Sequence, residues 1–267
     1  MDLMQIGLLL LAGGVAGFLA GFFGVGGGII LVPILLAYFQ ATGVTSLVAT
    51  HLTFGTSLLI IIFASSSSAY QYARNNHTVW KAVLLLGAGS ILGAFVGTAV
   101  AADLAGKSLQ RIFAAVVFFS AIRLLSEQRK PKGEPEMNLG IVGLLATGLM
   151  VGIVSALAGV GGGVFSIPIM YSLLHFPMKK ALGTSSATIV ITALASVIGY
   201  VLRGWGNPLL PPGTLGYVDP LSAIPIIVGT LPTAALGAAA AHRTTSGVLR
   251  KAFAGFLVIV GIKMFFL

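Results

Sequence analysis

The feature that most constrains the fold is a five-residue glycine segment that occurs twice inside uncharged apolar sequence. Gly24–Gly28 reads Gly-Val-Gly-Gly-Gly and is followed by Pro33, and Gly159–Gly163 has the same letters and is followed by Pro168 at the same spacing. Such a run leaves backbone N–H groups without side-chain cover, which a bilayer tolerates only where the backbone is buried in protein or lines a cavity. The pattern predicts that the two copies form the two halves of one ligand site within a membrane.

The composition of the 267-residue chain places it in a membrane. Hydrophobic residues make up 57% of the chain and charged residues only 8%, whereas soluble domains carry about 25% charged residues. Cysteine is absent, which excludes disulfides, thiolate metal sites and redox thiols. The net charge of +9 indicates cytoplasmic loops rich in Lys and Arg rather than a nucleic-acid partner.

Apolar segments and one polar break divide the chain into two similar series. Five segments fall at about 5–23, 28–39, 45–69, 80–101 and 108–125, and five more at about 139–158, 162–175, 184–203, 221–241 and 249–266. The break is rich in charge and proline, as linkers are. We predict an all-α polytopic membrane protein with an N-terminal membrane repeat at 1–125, a cytoplasmic linker at 126–138 and a C-terminal membrane repeat at 139–267.

The two halves match each other beyond the glycine segments. Thr50–Thr53 corresponds to Ser185–Thr188 at the same offset of 135, and Leu109–Ala114 corresponds to Leu249–Ala254 at an offset of 140. A repeat therefore covers nearly the whole chain. In transporters such repeats place the substrate at the repeat interface near the bilayer midplane.

Basic residues predict the orientation of the halves, because cytoplasmic loops concentrate Lys and Arg. With the linker inside, alternation of the segments places eleven basic residues in the inside loops and three in the outside loops, with Lys263 near the outer C-terminus. This distribution favours an inverted repeat of two five-element halves with both termini outside.

Each glycine segment joins a long apolar arm to a short one. A spanning helix needs about 20 residues, and the second arm at 28–39 is shorter than that. We expect a re-entrant hairpin or a helix broken at depth in each half, which leaves about eight spanning helices. Pro33 and Pro168 are expected in the first turns of the second arms, where a missing N–H is harmless. The glycine N–H groups and the positive helix ends then point at one spot, which suits an anion.

Ionisable residues are scarce within the predicted segments. All six acidic residues lie outside them, so no buried carboxylate is available to bind Na⁺, a proton or a metal cation. His51 is the one histidine clearly within a segment. It either donates to an anionic oxygen or takes a proton during transport, or it is a neutral side chain bonded to a neighbouring helix. The pattern argues against a cation transporter and is consistent with an anion transporter.

Hydroxyl residues offer donors to an anion, although they also line ordinary helix interfaces in membranes. The run Ser65–Ser68 has no visible counterpart in the second half, and it either packs helices or lines a water path. Close helix packing is the alternative reading of the glycines too, but it explains three consecutive glycines poorly. The predicted substrate-binding residues are Gly26, Gly27, Gly28, Thr50, His51, Thr53, Gly161, Gly162, Gly163, Ser185, Ser186 and Thr188.

The doubled motif resembles the sulfite exporter TauE/SafE family of bacterial membrane permeases, and the resemblance covers essentially the full length. It rests on Gly24–Pro33 and Gly159–Pro168, on the small polar clusters Ala49-Thr50 and Gly183–Ser185, and on the basic-aromatic pattern of Leu109–Phe113 and Leu249–Phe253. The resemblance implies export of small sulfur-containing anions, such as sulfite or organosulfonates, across the bacterial cytoplasmic (inner) membrane.

We therefore predict a secondary transporter, not an enzyme, whose halves rock to expose one site alternately. Its partners are a small anionic substrate and the lipid bilayer, with no nucleic acid, no metal and no cofactor, and a homo-oligomer is left open. Two alternatives keep the same site: an anion channel, and a permease for a small carboxylate without sulfur. A membrane enzyme or a sensor finds no support, because no paired carboxylates, Ser/His/Asp set or soluble domain is evident.

Overall fold

The computed structural model describes residues 3–126, 137 and 140–265, which form ten helices. The helices of the first half are α1 (Leu3–Phe23), α2 (Gly28–Ala41), α3 (Ser46–Arg74), α4 (Trp80–Asp103) and α5 (Gly106–Ser126). Those of the second half are α6 (Ile141–Ala158), α7 (Gly163–Ser172), α8 (Met178–Gly204), α9 (Pro220–Arg243) and α10 (Ser246–Phe265). Within these ranges the extended pairing is limited to an isolated bridge between Leu215 and Val218. The predicted all-α fold is confirmed.

Six helices of the described ranges are long and apolar enough to cross a membrane: α1, α3, α4, α6, α8 and α9. The helices that follow the glycine segments, α2 and α7, are apolar but have only 14 and 10 residues. The last helix of each half, α5 or α10, is not among the six, and each contains three basic residues. Length and composition thus identify six candidate spans within the described ranges, and the predicted eight are not confirmed.

The third helix of each half extends further than hydropathy predicts. α3 continues to Arg74 although the apolar segment ends at about 69, and α8 begins at Met178 although its apolar segment begins at about 184. Pro177 is the N-cap of α8, so Lys179 and Lys180 lie in its first turn. Hydropathy fails here because charged residues mark where the apolar sequence ends, not where the helix ends. The predicted linker at 126–138 lies outside the described residues except for Ser126 and Met137.

Two helix pairs pack at close range through glycine, and each pair joins one helix from each half. The contacts along α1 and α9 are Gly13 with Ile226, Gly17 with Thr230 and Gly21 with Ala234. Those along α4 and α6 are Gly89 with Leu145, Gly93 with Leu149 and Gly97 with Ile153. A Cβ on any of these glycines would approach the partner helix to 2.8 Å or less, so glycine sets the interaxial distance, as small residues do between membrane helices. Both pairs are parallel, because the contact positions rise together.

The two longest helices, α3 and α8, run in opposite directions. Ile61 and Ile189 both lie against Gly161, whereas Tyr72 near the end of α3 lies against Gly183 near the start of α8. α3 is parallel to α9, since Thr56 bonds to Asp219 and Ser67 bonds to Leu231. α8 is parallel to α4, since Thr192 bonds to Ser90 and Gly199 lies against Thr98. Helices α1, α3 and α9 therefore run one way, and α4, α6 and α8 run the other way.

Candidate functional site

Both glycine segments form turns that interrupt the helices. α1 ends at Phe23 and α2 begins at Gly28, and α6 ends at Ala158 and α7 begins at Gly163. The φ angles are 63°, 79° and 84° at Gly24, Gly26 and Gly27, and 66°, 75° and 83° at Gly159, Gly161 and Gly162. A residue with a side chain loses about 1–2 kcal/mol in this left-handed region, which explains why these positions are glycine. We call Gly24–Gly27 the first turn and Gly159–Gly162 the second turn.

The two turns contact each other directly and reciprocally. A Cβ on Gly28 would lie 2.5 Å from the Val160 Cα, and a Cβ on Gly163 would lie 2.6 Å from the Val25 Cα. Glycine at the start of α2 and of α7 is therefore needed for backbone approach rather than for an unusual φ. The sequence prediction that the two copies come together is in agreement with these contacts.

Ile61 and Ile189 pack between the turns. A Cβ on Gly26 would lie 2.8 Å from Ile61 Cγ2 and 3.4 Å from Ile189 Cγ2, and one on Gly161 would lie 2.8 Å and 2.9 Å from the same two atoms. Both isoleucines are buried. The middle of α3 and of α8 thus provides an apolar surface on which both turns rest.

The backbone N–H groups of the turns are short of acceptors. Those of Gly26, Gly27, Gly161 and Gly162 donate no hydrogen bond to any residue within the described ranges. Gly27 and Gly162 are the N-caps of α2 and α7, neither helix has a side-chain cap, and neither has an acidic residue in its first turn. Since helix N-termini carry unsatisfied donors and a partial positive charge, two uncompensated positive ends meet at this contact.

The two prolines lie deeper in their helices than the sequence analysis places them. Pro33 and Pro168 are each the sixth residue of their helix and are interior positions. The prediction that they occupy first turns, where the missing N–H is harmless, is therefore wrong. At the sixth position a proline removes the hydrogen bond to the carbonyl four residues earlier, which is Ile29 in α2 and Val164 in α7. One more backbone bond is thus absent close to each turn.

Thr50, His51 and Thr53 lie toward the start of α3 rather than between the turns. The Thr50 hydroxyl accepts a hydrogen bond from Gln110 Nε2 at 2.9 Å. His51 is buried, its Nε2 donates to the Ala101 carbonyl at 3.0 Å, and its ring lies 5.1 Å from that of Tyr217. His51 precedes Ile61 by ten residues, which is about 15 Å along a helix. The Thr53 hydroxyl is buried and has no partner among the described residues.

The predicted residues of α8 divide into one that faces a glycine-turn helix and two that bond within α8. Ser185 Oγ lies 2.9 Å from the Oγ of Ser166, which is in α7. Ser186 donates to the Leu182 carbonyl and Thr188 donates to the Thr184 carbonyl, both four residues back in the same helix. Among the predicted hydroxyls, Ser185 is therefore the one bonded to a helix that begins at a turn.

The contacts of α3 recur in α8 at an offset of 128, not at the 135 taken from the sequence. Two pairs of hydrogen bonds recur: the Tyr72 hydroxyl donates to the Gly21 carbonyl as the Tyr200 hydroxyl donates to the Ala156 carbonyl, and Thr56 accepts from the Asp219 N–H as Thr184 accepts from the Val79 N–H. Two pairs of packing contacts recur as well: Phe54 lies against Gly159 as Leu182 lies against Gly24, and Gly55 lies against the Tyr217 carbonyl as Gly183 lies against the His77 carbonyl. Gly55-Thr56-Ser57 is thus equivalent to Gly183-Thr184-Ser185. The pairing of Thr50–Thr53 with Ser185–Thr188 is not the structural one.

Three hydroxyl residues near the turns were not among the predicted site residues. Ser57 donates to the Gly159 carbonyl of the second turn. The Ser65 hydroxyl lies 3.1 Å from the position of a Cβ on Gly26, and the Cβ of Ser155 lies 3.4 Å from the position of a Cβ on Gly162. The repeated sequence Gly-Thr-Ser could have identified Ser57, but an alignment of the halves at an offset of 135 does not pair its two copies. Ser155 had no signal, because its counterpart at an offset of 135 is Ala20.

A basic cluster lies at one end of the bundle, where His77 in the loop between α3 and α4 meets the start of α8 and the end of α9. The His77 and His242 rings are 5.0 Å apart, and Lys179 Nζ donates to the His242 carbonyl at 2.6 Å. Burial lowers the pKa of His77, and the charges of His242, Lys179 and Lys180 lower it further. Within the described ranges, no group of three or more His, Asp or Glu residues could hold a metal ion.

Comparison with known proteins places the chain among membrane transporters. The profile of the family described as sulfite exporter TauE/SafE matches residues 9–264. A probable membrane transporter protein of Haemophilus influenzae is 31% identical over 258 residues, covering 97% of both chains. A probable membrane transporter protein of Methanocaldococcus jannaschii is 26% identical, covering 98% of this chain and 96% of the relative. The probable membrane transporter protein YunE of Bacillus subtilis is 25% identical, covering 98% of both.

No solved structure gives a significant match to the chain. The family match nevertheless spans both glycine turns and nearly all of the sequence. The resemblance stated from the doubled motif is therefore confirmed: the chain belongs to the sulfite exporter TauE/SafE family and is a membrane transporter of that type.

Proposed function

We propose that the chain is a secondary transporter of small sulfur-containing anions, such as sulfite or organosulfonates, with one central site at the two glycine turns. The observation that carries this proposal is the meeting of two uncapped helix N-termini, those of α2 and α7, at turns in which two glycine N–H groups each donate no hydrogen bond within the described residues. Two like partial charges repel each other, and an anion between them satisfies the donors and removes the repulsion.

The charge pattern around the turns supports an anion over a cation. No Asp, Glu, Lys or Arg occurs between Asp2 and Arg74, or between Glu136 and Lys179, so both turns lie far in sequence from any carboxylate. Cation pathways in membranes generally depend on intramembrane acidic groups. Backbone N–H groups and hydroxyls can donate to an oxyanion without carrying a charge through the bilayer.

An inverted repeat is the architecture that we propose around this site. Support comes from the helix directions: the first helix of one half, α1, is parallel to α3 and α9, whereas the first helix of the other half, α6, is parallel to α4 and α8, which run the opposite way. The reciprocal contacts of the two turns support the same relation. Inverted repeats are the usual basis of alternating access, with the substrate at their interface.

The orientation follows from the basic residues. The end of α3, the start of α8 and the end of α9 come together and carry Arg74, Lys179, Lys180 and Arg243. We assign this end to the cytoplasm, because cytoplasmic segments concentrate Lys and Arg. Both termini then lie outside the cytoplasmic (inner) membrane, and export is the direction that the family description suggests for this chain.

Reconstituted protein tests the proposal. Purified protein in liposomes is expected to catalyse counterflow, in which labelled sulfite accumulates in vesicles preloaded with unlabelled sulfite while valinomycin and equal K⁺ on both sides hold the membrane potential at zero. A channel would not concentrate label under this clamp, because its uptake is driven by the potential alone. Gly27→Leu is expected to abolish counterflow. Gly43→Leu is the matched control, since Gly43 has the same left-handed φ, 83° against 84°, but open space around its Cβ. Wild-type counterflow in Gly27→Leu would remove the turns from the site, and preference for acetate over sulfite would change the substrate class.

A further inference from the structure

We propose that Ser65 and Ser155 are the residues that make the central site selective for a three-oxygen sulfur head group over a carboxylate. The inference rests on the proposed function, because it concerns which oxyanion the two turns bind. It assigns to each turn one hydroxyl donor, Ser65 beside the first turn and Ser155 beside the second.

The two serines are exceptions among the hydroxyl residues of these helices. A serine or threonine within a membrane helix normally donates to the carbonyl four residues back. Ser66, Ser68, Ser186, Thr188 and Ser196 all do so. Ser65 and Ser155 do not, and neither hydroxyl has a hydrogen-bond partner in the described part of the chain.

Both serines are fully buried, which makes an unused hydroxyl costly. Ser65 is 1% exposed and Ser155 is 0% exposed. Leaving a buried polar group without a partner costs about 1–3 kcal/mol, so these two hydroxyls are the buried groups beside the turns that gain most from a ligand. Thr53 is also buried without a partner, but it precedes Ile61 on α3 by eight residues, about 12 Å.

Their positions bring the hydroxyls to opposite turns. Ser65 is one helical turn beyond Ile61 on α3, and its Oγ lies 3.1 Å from the position of a Cβ on Gly26. Ser155 is in the last turn of α6, and its Cβ lies 3.4 Å from the position of a Cβ on Gly162. Because Gly26 and Gly161 rest on the same two isoleucines, the two hydroxyls flank one contact region from different helices.

The geometry of the ligand decides what such donors can distinguish. A carboxylate has two oxygens in one plane, which the N–H groups of the two turns can satisfy from either side. Sulfite and sulfonates have three oxygens arranged as a pyramid around sulfur, so at least one oxygen lies outside the line between the turns. Hydroxyls from α3 and α6 add donors from further directions, and a charge-assisted hydrogen bond to such an oxygen is among the stronger ones.

A competition assay with matched ligands tests this assignment. Methanesulfonate and acetate, which differ in the head group, are titrated against labelled sulfite uptake into liposomes holding the wild type, Ser65→Ala or Ser155→Ala. Loss of one hydrogen bond to a charged group is expected to raise the half-inhibitory concentration of methanesulfonate about tenfold or more in each variant. That of acetate should change little. Ser68→Ala is the control, because Ser68 is equally buried on α3 but donates to the Ala64 carbonyl.

The outcomes separate this inference from the proposed function. Unchanged methanesulfonate inhibition in both variants, with normal sulfite uptake, would overturn the role of the serines and leave the transporter assignment intact. An equal loss for acetate and methanesulfonate would overturn the selectivity. Absence of sulfite uptake in the wild type, together with absence of any thermal shift by sulfite, would overturn both proposals.

Discussion

Replacement of Gly28 by alanine tests the contact on which the central site depends. The new Cβ would lie 2.5 Å from the Val160 Cα, whereas non-bonded carbons prefer about 3.5–4.0 Å. The obstructing atom is backbone, so no side chain can move aside, and the two turns must separate by about 1 Å. Overpacking of this kind costs about 1–3 kcal/mol of stability.

The same displacement should weaken anion binding. An N–H···O hydrogen bond spans about 2.7–3.2 Å, so an anion held by one turn loses its bonds to the other when they move about 1 Å apart. A hydrogen bond to a charged group contributes about 1.5–3 kcal/mol, which corresponds to about a 10- to 100-fold loss of affinity. We expect that loss in the half-saturating sulfite concentration for uptake by Gly28→Ala in liposomes.

Two comparisons make the result decisive. Gly143→Ala adds the same methyl group to α6 at a position with no atom within 4 Å, and it should leave uptake unchanged. Gly163→Ala places its Cβ 2.6 Å from the Val25 Cα, and it should behave like Gly28→Ala. The double variant should lose less than the sum, because both methyl groups require the same separation. Wild-type affinity and melting temperature in Gly28→Ala would refute the reciprocal contact.

Two further predictions concern the ends of the long helices. Tyr72→Phe and Tyr200→Phe each remove a buried hydroxyl that donates to a carbonyl, at 2.9 Å and 2.7 Å, so both should lower the stability by about 1–3 kcal/mol. Melting of purified protein measures this, with exposed Tyr70→Phe as control, and a loss in one variant alone would contradict their equivalence. The lowered pKa of His77 means that the folded state resists its protonation. Its stabilising contribution is therefore present above about pH 6.5 and is lost as the pH falls through the lowered value, and His77→Gln should flatten the melting temperature between pH 7.5 and 5.

The glycine turns could be predicted from sequence because backbone conformation limits the residue type. Three positions in each turn have a φ that favours glycine, and Gly28 and Gly163 leave room for the opposite backbone. Each requirement fixes the residue type at one position, and both turns meet it although the sequences around them differ. The positions of Pro33 and Pro168 could not be placed in the same way, because a proline in the sixth position and one in the first turn look alike in an apolar segment.

The hydroxyl residues were harder to predict because the halves differ in length. The first half has seven more residues between its glycine turn and Gly55 than the second half has before Gly183. A shift of seven residues is about two helical turns. The wrong register therefore still pairs residues that lie on the same face of the helix. An alignment anchored on the glycines therefore pairs Thr50 with Ser185 and misses the equivalence of Ser57 with Ser185.

The corrected register also bears on the two readings of His51 that the sequence leaves open. Its structural equivalent is Lys179, and the two side chains make similar bonds to carbonyls one position apart in the aligned helices: His51 Nε2 donates to the Ala101 carbonyl, and Lys179 Nζ donates to the His242 carbonyl. In each half, a side chain near the start of one helix donates to the end of the next helix: α3 bonds to α4 in the first half, and α8 bonds to α9 in the second half. A change from histidine to lysine that keeps a bond between two helices is typical of a structural role. A residue that binds substrate would instead need one particular side-chain chemistry in both halves. The equivalence therefore favours the reading in which His51 bonds α3 to α4, and under the proposed function anion binding would then rest on the main chain of the turns and the hydroxyls beside them.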